Sequence, residues 1–283
     1  MDLLERYGPW AVVTGASDGI GRAFAHALAA SGFSVVLVAR RTAVLQALAD
    51  ELGRRHGTSS VVLAADLGTA PGRSALAAGT ADLDVGLLVA AAGFGTSGPL
   101  LEASLAGEAE MLAVNCGAVL AQAHEFGTRF AARGSGALVL LSSVVAFQGV
   151  PRAANYAATK AYVQTLAEGL RQELRPRGVE VLACAPGPVR SGFAARARME
   201  LGATVSPDTV ARGALAALGR RTTVHPGGLS KVLMASLRTL PRSGRVRAMA
   251  QVMGGMTRRP ANLGSQREGR GAAPAQADGP GSR

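Results

Sequence analysis

Trp10-Ala11-Val12-Val13-Thr14-Gly15-Ala16-Ser17-Asp18-Gly19-Ile20-Gly21 runs an apolar segment straight into a glycine-rich turn. Its first five residues have the length and apolar content of a buried strand. Ile20, Phe24 and Leu28 then recur at helical spacing. Glycines between a strand and a helix reach positive φ and let the backbone approach a pyrophosphate at the helix N-terminus. The spacing is G-x-x-x-G-x-G rather than G-x-G-x-x-G. Alone, such a turn is often only a turn; between a first strand and a first helix it marks a candidate nucleotide site.

The pattern repeats downstream. Ser34 to Ala39 predicts a second strand, followed by Val44, Leu45, Leu48 and Leu52 on one helical face. Val61 to Ala64 and Val85 to Val89 predict a third and fourth strand, and Glu108 to Arg133 a long helix. Ala137 to Leu141 reads as a fifth strand, Ala154 to Leu174 as a helix and Val179 to Ala183 as a sixth strand. Pro207 to Gly219 reads as a helix, and Thr222 to His225 as a short closing strand. Apolar strands alternating with helices imply a doubly wound α/β sandwich around a mostly parallel six- or seven-stranded sheet. One domain is expected over 1–225, an amphipathic basic helical extension over 226–259 and a disordered tail over 260–283.

The chain has 283 residues, 48% of them hydrophobic and 17% charged, which is ample for a core and too apolar for global disorder. Its formal net charge of +11 raises nucleic acid or an anionic membrane as partners. Much of that excess follows residue 219, outside the repeating pattern, so nucleic acid is not expected. The N-terminal residues lack the basic start and apolar run of a signal peptide, and no apolar run approaches transmembrane length. Cys116 and Cys184 have no metal-type spacing and read as buried free thiols, so no metal is expected and a cytoplasmic location suits them.

Only three tyrosines and two lysines occur, and Tyr156 and Lys160 stand four apart on the helix over 154–174. Residues i and i+4 share a helix face. Such a pair is most often a solvated one. Beside a lysine, though, a phenol becomes a candidate acid or base.

Taken together the motifs resemble those of the short-chain dehydrogenase/reductase family from about Gly8 to Thr223. The turn Thr14 to Gly21 matches the family's TGxxxGxG, and Tyr156 with Lys160 its Tyr-x-x-x-Lys. Ser143 stands thirteen residues before Tyr156, as in the family, and Asn115 matches its central-helix asparagine. The resemblance implies a Rossmann-type fold and hydride transfer between a nicotinamide and a carbonyl or alcohol carbon. Tyr156 would be the proton donor or acceptor, its pKa lowered by Lys160 and the oxidised nicotinamide together. Ser143 would bind the substrate oxygen, Lys160 the nicotinamide ribose, and Asn115 a water linking Lys160 to solvent. Ser142 is the alternative serine, which the spacing disfavours. It also implies cofactor contacts from Gly15, Ser17, Asp18, Gly19, Ile20, Gly21, Asp66, Leu67 and Gly93. Pro186, Gly187, Val189 and Ser191 would lie along the nicotinamide. One departure is Ala90-Ala91-Ala92-Gly93 where the family has Asn-Asn-Ala-Gly, which predicts some lost rigidity.

At the end of the second strand Ala39 stands where an NAD enzyme would place an acid, and Arg40 follows. A guanidinium without a competing carboxylate favours the 2′-phosphate of NADP over NAD. The opening Gly8-Pro9-Trp10 and Pro226-Gly227-Gly228-Leu229 are similar to the hydroxysteroid and 3-ketoacyl reductase branch, which implies a small lipophilic carbonyl or alcohol substrate. The loop from Gly192 to Ala203, with Phe193, Met199 and Leu201, is expected over the substrate pocket. The apolar stripe at Leu229, Val232, Leu233, Leu237 and Leu240 is open to three readings: packing on the domain, a homo-oligomer contact, or peripheral membrane contact through 229–247.

Overall fold

The computed structural model describes residues 3–257. In chain order the helices are α1 (Leu3–Tyr7), α2 (Gly19–Ala30), α3 (Thr42–His56), α4 (Ala70–Gly79), α5 (Leu105–Leu112), α6 (Val119–Arg133), α7 (Ala154–Leu174), α8 (Phe193–Arg196), α9 (Pro207–Ala217), α10 (Gly228–Arg238) and α11 (Arg242–Met256). The strands are β1 (Trp10–Thr14), β2 (Ser34–Ala39), β3 (Ser60–Ala64), β4 (Val85–Ala90), β5 (Gly136–Leu141), β6 (Val179–Cys184) and β7 (Thr223–Val224). All seven pair in parallel in the order β3-β2-β1-β4-β5-β6-β7. The order reverses beside β1, which opens a crevice at the strands' carboxyl ends between β1 and β4.

Two apolar layers follow from the period of two along each strand. Ala11 and Val13 of β1 join Phe24, Leu28 and Leu45 on one face. Val12 joins Phe126, Phe130 and Val163 on the other. The helix expected over 108–133 spans α5 and α6, joined by a π-helical turn at Ala113–Ala118. Helix α4 had no counterpart among the sequence expectations, although Thr69 caps it and Pro71 stands in its first turn.

The segment after β7 forms two helices, since Pro241 lacks an N–H and starts α11 instead of continuing α10. They fold back over the carboxyl end of the sheet. Leu237, Met249 and Met253 are buried there against Val150, Ala153 and Ala157. The tail expected over 260–283 lies outside the described residues.

Candidate active site

A cleft of about 620 Å³ runs along the carboxyl ends of the strands. Every candidate catalytic or cofactor residue read from the sequence lines it except Asn115, which is fully buried behind it. At one end lies the glycine turn. Gly15 has φ of +68°, and a side chain there would meet Ala91 O and Ala92 N at 2.9 Å. A Cβ on Gly21 would collide with Gly15 O. These glycines are the condition for the turn to lie this close to β4.

Asp18 lines the cleft, but both its carboxylate oxygens are engaged. One accepts the Gly19 N–H at 2.7 Å, capping α2, and the other accepts the Gly192 N–H at 3.0 Å. Asp18 therefore fastens the loop bearing α8 to the glycine turn. Asp66 turns its carboxylate to Gly68 N at 3.0 Å, while Leu67 is buried. Arg40 stands 3.6 Å from Glu110, which also pairs with Arg196 at 3.2 Å. Arg41, which sequence reading passed over, reaches the glycine turn: its Nη2 donates to Ser17 Oγ at 3.0 Å and Ser17 O at 3.2 Å. The doubled arginine was the available signal.

At the cleft's midpoint Ser143, Tyr156 and Lys160 come together. Ser143 follows β5; its hydroxyl stands beside the Tyr156 phenol, and its hydrogen points toward Pro186 O, 3.4 Å from Oγ. Ser142 points away and donates to Lys160 O at 3.2 Å, so Ser143 is the serine beside the phenol. Lys160 is 7% exposed and donates from Nζ to Leu141 O at 2.8 Å. Its Nζ lies 5.9 Å from the centre of the Tyr156 ring. Burial pushes the Tyr156 phenol up to about 12, opposed by the Ser143 hydrogen bond. Burial also pushes Lys160 down to about 8. The loss of water is the dominant influence on the phenol here, whereas the expected fall rests on the oxidised nicotinamide as well as on Lys160.

Asn115 sits in the π-helical turn, where the helix bulges. Its Nδ2 donates to Phe94 O at 2.8 Å and Thr159 Oγ1 at 3.0 Å, and its Oδ1 accepts the Phe94 N–H at 3.1 Å. The carboxamide thus ties the bend after β4 to α7. Thr14 Oγ1 accepts the Ala92 N–H at 3.2 Å and so holds the bend that lacks the family's asparagines.

The far end of the cleft is apolar. The loop over 192–203 supplies Phe193, Met199 and Leu201, as expected. The unexpected wall is the C-terminal arm: Leu233 of α10 and Met249, Val252, Met253 and Met256 of α11. The loop and α11 are tied by an antiparallel bridge between Met199 and Thr257 and by Glu200 N donating to Met256 O at 2.8 Å. The 249, 252, 253, 256 spacing was readable as a helical stripe; its destination was not.

The residues fit a nicotinamide adenine dinucleotide: a glycine cradle too tight for side chains lies at the end of the cleft where Arg40 and Arg41 follow β2. Among the described residues no cluster of His, Cys, Asp or Glu could hold a metal ion, and no helix is long and apolar enough to cross a membrane.

Comparison with known proteins agrees with this geometry. The family model described as short chain dehydrogenase matches residues 9–201. A 7beta-hydroxysteroid dehydrogenase of Clostridium sardiniense is 28% identical over 256 residues, covering 89% of this chain and 98% of that one. The human protein named inactive hydroxysteroid dehydrogenase-like protein 1 is 31% identical over 201 residues, 69% of this chain and 60% of its own length. A short-chain dehydrogenase from Sphingobium yanoikuyae, solved in complex with NADPH, superposes with a TM-score of 0.74 at 30% identity, covering 82% of this chain and 94% of that one.

Proposed function

This chain belongs to the short-chain dehydrogenase family, and on that premise we propose that it is an NADP(H)-dependent oxidoreductase of lipophilic ketones or secondary alcohols, steroid-like or 3-ketoacyl. The observation that carries this reading is where Ser143 and Tyr156 stand. They meet at the point where a cleft with a glycine cradle and two arginines gives way to a methionine-rich apolar wall. The 7beta-hydroxysteroid dehydrogenase relative supports the substrate class, and the NADPH complex of the Sphingobium protein supports the cofactor.

The nicotinamide, when bound, supplies or takes the hydride. Tyr156 donates its proton to the carbonyl oxygen in reduction and takes one back in oxidation. A phenol held at about 12 stays protonated at neutral pH, which suits the acid role. Ser143 donates a hydrogen bond to the same oxygen. Lys160 supplies positive charge beside the phenol, and Asn115 fixes its surroundings through Phe94 and Thr159. Arg40 and Arg41 hold the 2′-phosphate.

A cofactor-binding protein without turnover is the alternative, and a relative named inactive lends it some weight. The intact Ser143, Tyr156 and Lys160 favour turnover. Of the stripe, Leu237 is buried and Leu233 lines the cleft, which supports packing on the domain, while Leu229, Val232 and Leu240 are exposed. Leu105, Leu112 and Leu120, exposed along α5 and α6, support a homo-oligomer.

The test is NADPH oxidation against a panel of apolar ketones, with Tyr156→Phe as control. The parent should turn over at least one such ketone, and the variant should lose about 10²- to 10⁴-fold in kcat. A variant as fast as the parent would remove Tyr156 from the chemistry.

A further inference from the structure

The tripeptide Pro186-Gly187-Pro188 follows β6 and walls the cleft beside Ser143 and Tyr156. Proline has no backbone N–H, so Gly187 carries the single main-chain donor of this turn. That donor goes to the C-terminal arm. Ser230, in the first turn of α10 and 0% exposed, accepts the Gly187 N–H on Oγ at 2.9 Å. The flanking carbonyls are held by backbone instead: Val144 N donates to Pro186 O and Val205 N to Pro188 O, both at 3.0 Å. A Cβ on Gly187 would stand 2.9 Å from the same Oγ, so the serine and the glycine fit each other. Leu233, three residues beyond Ser230 on α10, lines the cleft. One helix face therefore meets both the turn and the apolar pocket.

We propose that Ser230 is a positioning residue for the nicotinamide half of the cofactor, holding the Gly187 peptide so that the turn presents one fixed surface to the ring. The proposal rests on the reading of the cleft as an NADP(H) site. Glycine is the residue with most backbone freedom, and this peptide has a single donor to restrain it. Without Ser230 that half-buried N–H loses its protein acceptor, and the turn must reorder each time the ring binds. Cofactor groups at the other end of the cleft do not depend on this bond, because Arg41 donates to Ser17 rather than to α10.

The experiment compares parent and Ser230→Ala for two compounds: NADPH, and 2′,5′-ADP, which carries the adenosine and 2′-phosphate but no nicotinamide. Calorimetry gives both dissociation constants, and the fluorescence of bound NADPH reports on the ring. The variant should weaken NADPH about tenfold, equivalent to about 1.4 kcal/mol, and leave 2′,5′-ADP within twofold of the parent. Equal weakening of both, or of neither, overturns the proposal. Should Ser230→Ala not fold, Ser230→Cys keeps the shape with a weaker acceptor and should move NADPH in the same direction. A parent that binds neither compound overturns the cofactor reading itself. A parent that binds both, with a variant that does not discriminate, overturns only the role of Ser230.

Discussion

Lys160 carries its charge where water hardly reaches, and its protonation is coupled to folding. Its pKa falls from the ordinary 10.5 to about 8 because burial disfavours the ammonium. Between those values the unfolded chain holds more protons than the folded one, so stability rises with pH across that window. Below about pH 8 both forms are charged and the penalty is constant. Cys184 acts in the opposite sense above its ordinary 9.0, since burial raises it to about 12. Cys116 acts in the same sense as Cys184, and both thiols begin to titrate in the unfolded chain between pH 8 and 9, so the comparison with Lys160→Met isolates the lysine. Urea unfolding of the parent should show stability climbing through that interval, and Lys160→Met should flatten the climb. At this scale the sequence was most legible where a motif fixed both residue type and spacing, as with Ser143, Tyr156 and Lys160. It was least legible where a side chain's partner lies far along the chain. Nothing near Asp18 announces Gly192, and nothing near Arg41 announces Ser17.

Elements were legible because strands and helices leave different periods. The apolar strands emerged within a residue or so of their ends, and α7 ran over the expected span. The π-helical turn left no such period, since it changes register by one residue without changing composition. Its consequence is visible on the surface. Leu105 and Leu112 are seven apart and Leu120 is eight further on, and the extra residue in the turn keeps all three in one line. Helix α11 shows the other limit. Its stripe could be read, but only the fold reveals that Met249 and Met253 meet Val150 and Ala157, about a hundred residues earlier. Methionine is unbranched and polarisable, and a wall of it adapts to varied apolar shapes. Met253→Ala should cost about 2–5 kcal/mol in thermal unfolding, as for other buried large-to-small changes. In steady-state kinetics it should raise KM for bulky ketones more than KM for NADPH. Equal effects on both would place Met253 outside the substrate wall.

At the scale of the whole molecule, the exposed leucines of α5 and α6 are the surface on which a second protomer is proposed to sit. Leu105 is 84% exposed and Leu120 48%, a large apolar outlay for a lone protomer. Sedimentation should find a dimer or larger species, and Leu105→Glu with Leu120→Glu should shift the population toward monomer while NADPH binding persists. An unshifted mass would assign those leucines another role. The two ends of the described chain meet different sides of the sheet. Tyr7 O packs against Gly86, and Arg6 O accepts from Ser135 Oγ, at the strands' amino ends. Thr257 instead bridges to Met199 on the rim of the apolar pocket. For immobilisation on a support, attachment through the α1 side leaves the pocket facing the solution. A fusion partner joined directly at Thr257 would start from the rim of the pocket, beside the strap formed by Met199 and α11.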